Sequence, residues 1–352
     1  MDSSGDFLTG VIEGFYGRPW SFATRAAYAG YLARAGLNTY LYCPKADPYL
    51  RRRWREPWPD ETREQMCALG TTLAAAGLQW GVGLSPFELY LDYGPRERDA
   101  LQRKIEELGS LEAPLLAVLF DDMPGDVADL ARRQGDIVAD IRHWLPHTRL
   151  LVCPTYYSFD PVLERHFGSM PRGYWQELGR SLPAEVDIFW TGNEVCAASI
   201  RSNDVGRIAG LLGRSVMLWD NYPVNDGAVR SRFLYTRPLE ARDPALRPYL
   251  SGHLCNPMNQ ALLSLPALAG LATLYDAPGL DDDVLGQILG EDVWQRLRQD
   301  GPAFQEQGLD GLGPQRCAKL ADIYAGMAGQ AAAEVAGWLR GEYRFDSACL
   351  TD

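Results

Sequence analysis

Short apolar runs recur along the chain, separated by amphipathic stretches. The runs are Leu8–Ile12, Thr39–Tyr42, Gln79–Leu84, Leu115–Phe120, Leu150–Pro154, Asp187–Trp190, Val216–Trp219 and His253–Cys255, and each reads as a buried strand. Between them, Ser21–Ala35, Asp60–Ala76, Arg96–Leu108 and Asp126–Trp144 read as helices, with Asp60 and Asp126 as N-caps and Gly36 and Gly77 as stops. Strands that alternate with helices pair in parallel. Eight such units predict an α/β fold, a closed (β/α)8 TIM barrel. An open doubly wound sheet is the alternative; no G-x-G-x-x-G follows the first strand, which weakens a nucleotide-binding version of it. From about Ala277 the pattern is helical only, over Asp281–Asp300 and then from Pro314 to about Tyr343. The expected organisation is a barrel over residues 7–276 and a C-terminal helical extension over 277–352. That Ala-rich tail is expected to cap the barrel; packing against a partner chain, as a homodimer, is the alternative.

In such a barrel the chemistry lies where strands exit into loops. The exits here are Glu13–Trp20, Pro44–Asp47, Ser85–Glu88, Asp121-Asp122, Pro154–Tyr157, Trp190–Glu194, Trp219–Asp226 and Asn256–Asn259. The fourth is the most informative. Two adjacent carboxylates at the end of an uncharged strand are costly, because each raises the work of ionising the other. Catalysis gives a reason for them, since neighbouring acids with separated pKa values hold a proton donor and an anion in one site. The competing reading is a solvated turn in which Asp126 caps the next helix. Around the pair, tyrosines, tryptophans and side-chain amides collect on one face. Rings of that kind stack on the apolar face of a sugar, while Asp and Asn grip its hydroxyls. Singly, Trp190, Trp219 and Tyr222 would fill the barrel mouth, Asn221 and Asn256 would cap loops, and Lys45 would be a surface cation. Together, across eight exits, they point to a carbohydrate site.

Composition narrows the partners. With 352 residues, 46% of them hydrophobic, the chain can bury a large core. A net charge of −12 argues against nucleic acid and against an anionic membrane. Only Lys45, Lys104 and Lys319 are lysines, so arginine is the default cation and Lys45 stands out. The seven cysteines form no C-x-x-C pair, and the four histidines no zinc spacing. Free thiols in a reducing compartment, no metal and no cofactor are expected. Met1–Asp6 shows neither a basic region nor an apolar core, so no leader is read there. No run is long enough to span a membrane, and a soluble, cytoplasmic protein is expected.

The segment Gly10–Trp20 resembles the opening motif of glycoside hydrolase family 84, the O-GlcNAcases and related bacterial β-N-acetylglucosaminidases. Further matches follow in order: Leu37–Tyr42 with Pro44-Lys45, Trp54-Arg55-Glu56, Leu119–Asp122, Cys153–Thr155 with Tyr157, Trp190–Gly192, Trp219 and Asn221 with Asp226, and Asn256-Pro257. They run from about Thr9 to about Leu274.

The resemblance implies removal of terminal β-linked N-acetylglucosamine with retention, by substrate-assisted catalysis through an oxazoline. It assigns Asp121 to accept the acetamido N–H, and Asp122 to protonate the leaving oxygen and then act as base toward water. Asp122 is accordingly expected to keep its proton to higher pH than its neighbour. Tyr157 is assigned to the acetamido and anomeric region, Trp219 to a wall of the acetamido pocket, and Asn221 to the reacting end. Asp226 and Asn256 are assigned to the 4- and 6-hydroxyls, and the Gly14 carbonyl and Lys45 to the hydroxyl edge.

Two positions depart from the family pattern. Ala46 replaces the first of two aspartates after Lys45, leaving Asp47, a change in a loop beside the pocket that bears on aglycone preference; Tyr156 stands where an acid is common. Two other functions compete with the exo-glycosidase: a sugar-binding barrel without activity, and an endo-hydrolase of a polymer such as hyaluronan. The acid pair disfavours the first, and the clamp on the 4-hydroxyl the second.

Overall fold

The computed structural model describes residues 7–343 and 347–351; Met1–Asp6, where no leader was read, lie outside them. Eight parallel strands close into a barrel in chain order: β1 (Leu8–Glu13), β2 (Thr39–Tyr42), β3 (Gln79–Leu84), β4 (Leu115–Leu119), β5 (Arg149–Cys153), β6 (Asp187–Trp190), β7 (Val216–Asp220) and β8 (Leu250–Cys255). The register Leu8↔Gly252 to Val11↔Cys255 joins β8 to β1 and excludes the open sheet. Side chains fill the interior on one face and meet helices on the other, so strands such as β1 and β4 are buried throughout.

Around the barrel run α1 (Phe22–Ala35), α2 (Asp60–Ala75), α3 (Pro95–Gly109), α4 (Leu130–Trp144), α5 (Val162–Phe167), α6 (Tyr174–Ser181), α7 (Ser202–Leu212) and α8 (Leu265–Leu274). Ser21 caps α1 by accepting from Thr24 N at 3.1 Å, and Gly36, left-handed at φ +74°, ends it. The two expected N-caps, Asp60 and Asp126, differ. Asp60 is the first helical residue, after Pro59, where its charge favours the helix dipole. Asp126 caps nothing, because α4 starts at Leu130. Its backbone N–H and that of Gly125 bond to Phe167 O instead, so a tertiary contact shapes this loop. Between β7 and β8 there are only 3-10 turns, at Arg230–Arg232 and Pro244–Tyr249.

The tail forms α9 (Asp282–Leu289), α10 (Glu291–Glu306), α11 (Gly308–Leu312), α12 (Pro314–Ala325) and α13 (Gln330–Leu339). The two long runs expected there are broken at Gly290 and near Gly329, both with positive φ. The tail packs on its own barrel. Phe304 meets Trp338 at 5.1 Å, and Trp338 Nε1 donates to Ser231 O at 3.1 Å. Glu334 on α13, pushed up to about 7 by burial, accepts from Leu262 N and Leu263 N in the segment after β8. Among the described residues no helix is long and apolar enough to cross a membrane. Cys43, Cys67, Cys153, Cys255 and Cys317 are free thiols.

Candidate active site

At the C-terminal ends of the strands lies a cavity that gathers every residue given a role by the family resemblance: Gly14, Lys45, Asp121, Asp122, Tyr157, Trp219, Asn221, Asp226 and Asn256; Trp190 and Tyr222 do not line it. Strand order explains the convergence. In a parallel barrel all chain exits share one rim, so residues far apart in sequence meet there.

Asp121 follows β4 and is only 5% exposed. Its Oδ2 is paired with Lys45 Nζ, whereas its Oδ1 is buried without a hydrogen-bond partner among the described residues. A buried acceptor left open in this way is costly, and costly acceptors mark places where a ligand donates. Lys45, expected at the hydroxyl edge, therefore serves the acid pair directly; its Nζ is also 3.9 Å from Asp122 Oδ2. Burial alone would lower the Lys45 ammonium, but the charges of Asp121 and Asp122 hold it above its ordinary range.

Asp122 sits in a left-handed turn at φ +55°. Tyr16 donates its hydroxyl to Oδ2 at 2.6 Å, and Tyr157 donates to Oδ1 at 3.1 Å. The direction of its pKa corrects the expectation from sequence. Burial pushes Asp122 up, but Lys45, Arg51 and the two phenols outweigh it and hold the carboxyl below its ordinary value. These neighbours favour the ionised form of Asp122. Counting only its acidic neighbour missed the cations supplied by the β2 exit.

The opposite wall carries amides and an indole that bond to one another and to the backbone. Trp219 Nε1 donates to Asn221 Oδ1 at 3.1 Å, and Asn256 Nδ2 donates to the same oxygen at 3.0 Å. Asn221 Nδ2 donates to Val195 O at 2.8 Å, and Gly14 N to Asn256 Oδ1 at 3.1 Å. Position 14 admits only glycine, since a Cβ there would lie 2.3 Å from the Trp219 ring. Asp226 Oδ2 accepts from Tyr16 N at 2.7 Å, tying the two walls together. Beneath them Asp220 receives two 2.7 Å bonds from Arg242 and one of 3.0 Å with His253 Nε2. Burial raises Asp220, yet Arg242 and His253 hold it well below the carboxylate range.

Several groups were not legible beforehand. Tyr16 lay inside the opening motif without a role of its own. Arg51 is one of three consecutive arginines and carried no distinguishing signal. The segment 347–351 also reaches the pocket: Cys349 and Thr351 line it, and Cys349 Sγ is 4.0 Å from Asp226 Oδ1. With that segment in place the cavity is about 50 Å³, room for roughly four waters at 10–15 Å³ each. Cys153 lines the floor, but burial pushes its thiol far up, which removes it as a nucleophile. The two departures resolve structurally. Asp47 is internal, bonded to Tyr49 N, Trp58 Nε1 and Tyr42 OH. Tyr156 points elsewhere, donating to Gly168 O at 2.6 Å.

Fold and site together define a TIM barrel with a buried carboxylate pair in an aromatic-walled pocket at its C-terminal face. Residues 9–282 match the family described as NAGidase, beta-N-acetylglucosaminidase, and the chain belongs to that family. It is 31% identical over 279 residues to protein O-GlcNAcase of Mus musculus and, to the same extent, of Rattus norvegicus. The match covers 76% of this chain and 30% of those relatives, so the chain spans about a third of their length. A mutant of Thermobaculum terrenum O-GlcNAc hydrolase superposes with a TM-score of 0.78 at 28% identity, over 96% of this chain and 81% of that one.

Proposed function

We propose that this protein is a retaining exo-β-N-acetylglucosaminidase of O-GlcNAcase type, with residues 7–276 as the catalytic barrel and 277–352 as a helical extension. The observation that carries the reading is the open Oδ1 of Asp121, a buried acceptor in a polar pocket, suited to an acetamido N–H. In the first step the acetamido oxygen attacks the anomeric carbon as its bond to the leaving oxygen breaks. Asp121 accepts the N–H and stabilises the positive charge on the forming oxazoline, while Asp122 passes its proton to the leaving oxygen. In the second step Asp122 takes a proton from water, which attacks the same carbon and reopens the ring.

The ionised form of Asp122 that its neighbours favour suits the second step. A bound sugar that displaces water deepens burial, already the strongest single influence on Asp122, and drives it toward the protonated form that the first step needs. Trp219 offers a flat wall to the acetamido group. Asp226 and Asn256 keep acceptor and donor capacity for hydroxyls beyond the bonds they already make. Their grip on the 4-hydroxyl favours an exo enzyme over an endo one. Relatives named O-GlcNAcase make GlcNAc on Ser or Thr of proteins the natural substrate class to test.

The test is release of 4-nitrophenol from its β-N-acetylglucosaminide by wild type and Asp121→Asn, with the β-glucoside as control. The expected result is turnover of the acetamido sugar alone and a loss of about 10²–10³ in kcat for the mutant. A folded wild type without turnover would move the reading to a sugar-binding barrel.

A further inference from the structure

Arg51 makes no contact assigned to the reaction, yet it is buried against the main chain of Asp122. Its neighbours Arg52 and Arg53 are exposed, whereas Arg51 is buried. One nitrogen of its fork, Nη1, donates to Ser85 Oγ at 2.8 Å, and Nη2 donates to the Asp122 main-chain carbonyl at 3.2 Å. The Phe87 ring lies 5.4 Å from the guanidinium carbon. A guanidinium is costly to bury, and solvent is within reach of this turn, as the two adjacent arginines show. The left-handed backbone of Asp122, at φ +55°, is a conformation that L-residues seldom adopt. Two unfavourable features in contact call for a shared purpose.

We infer that Arg51 is a positioning residue for Asp122: its fork, anchored on Ser85, holds the Asp122 carbonyl and so keeps the carboxylate between Tyr16 and Tyr157. The inference rests on the reading of Asp122 as acid and base. Asp122 is faced by Tyr16 from the β1 exit, Lys45 and Arg51 from the β2 exit, Asp121 from β4, and Cys153 and Tyr157 from β5 and its exit. Lys45 is bound to Asp121, while Arg51 forms no ion pair among the described residues. The Arg51 charge therefore acts on the acid pair as a whole and favours an ionised Asp122.

The sign of the pH effect follows. Expulsion of a poor leaving group needs the protonated acid, so kcat/KM falls as pH rises through the pKa of that acid. Removing the Arg51 charge raises the pKa and carries the basic limb upward. The experiment measures kcat and KM against pH for wild type, Arg51→Gln, Arg51→Lys and Ser85→Ala, on 4-nitrophenyl and methyl β-N-acetylglucosaminides. Arg51→Gln is expected to lose about 10²-fold in kcat on the methyl glycoside, much less on the nitrophenyl one, with KM little changed. Its basic limb is expected to rise by roughly one pH unit. Arg51→Lys should restore the limb but not the full kcat, because an ammonium lacks the fork. Ser85→Ala should lose about two- to tenfold in kcat on the methyl glycoside with the limb unmoved, and it tests the clamp even where Arg51→Gln does not fold. Equal losses on both glycosides with an unmoved limb in Arg51→Gln, or an indifferent Ser85→Ala, would overturn the inference alone. A wild type inactive on both glycosides would take down the parent reading and this one with it.

Discussion

On the β1–β5 side of the pocket the polar groups are charged, close together and incompletely paired. Two carboxylates, one ammonium and one guanidinium share a few ångströms, and one oxygen of Asp121 has no partner among the described residues. On the β7–β8 side Trp219, Asn221 and Asn256 bond to each other and to the backbone, above a closed Asp220–Arg242–His253 cluster. The first wall is held in an unfavourable state that a ligand can relieve. The second is already satisfied, so it offers a rigid surface with little to reorganise. Tyr16 joins them, with its hydroxyl on Asp122 and its backbone N–H on Asp226.

The sharpest way to break the contrast is to remove charge from the first wall. Asp122→Ala is expected to lower kcat by about 10²–10⁴ on poor leaving groups and far less on the nitrophenyl sugar. A series of aryl glycosides of graded leaving-group pKa would measure it, and a flat dependence would deny Asp122 the role of acid. On the second wall the expected loss is in stability. Asp220→Ala strands Arg242 and His253 in the interior, with side chains 3% and 0% exposed. It should lower unfolding free energy by about 3–5 kcal/mol in a denaturant titration. A fully stable Asp220→Ala with crippled chemistry would erase the distinction between the walls. The smallest effect belongs to segment 347–351, which lines the pocket beside both. A chain ending at Tyr343, and Thr351→Ala in the full chain, should lower KM about two- to tenfold at unchanged kcat, since a sugar then displaces one or two fewer contacts. An unchanged KM in both would mean that the segment leaves the pocket at no cost.

Much of the site was readable because the barrel turns a sequence pattern into a place. Once strand exits share a rim, Asp121, Lys45, Tyr157 and Asn256 need no further information to be neighbours. What they do to one another was less legible. Lys45 on Asp121, and the cations that hold Asp122 ionised, follow from side-chain reach and burial rather than from residue order. The helix cap assigned to Asp126 failed for the same kind of reason, because a bond to Phe167 on a different crossover outweighed a local preference.

By itself, the sequence determined the alternation of strand and helix, the eight exits and the types of group they carry, because these depend on periodicity and covalent order. Only the tertiary structure decided which Asp121 oxygen stays open, that Arg51 rather than Arg52 or Arg53 turns inward, and that residues 347–351 reach the pocket. Those outcomes depend on distances between atoms far apart in the chain, where electrostatics and close packing act only after the barrel has closed.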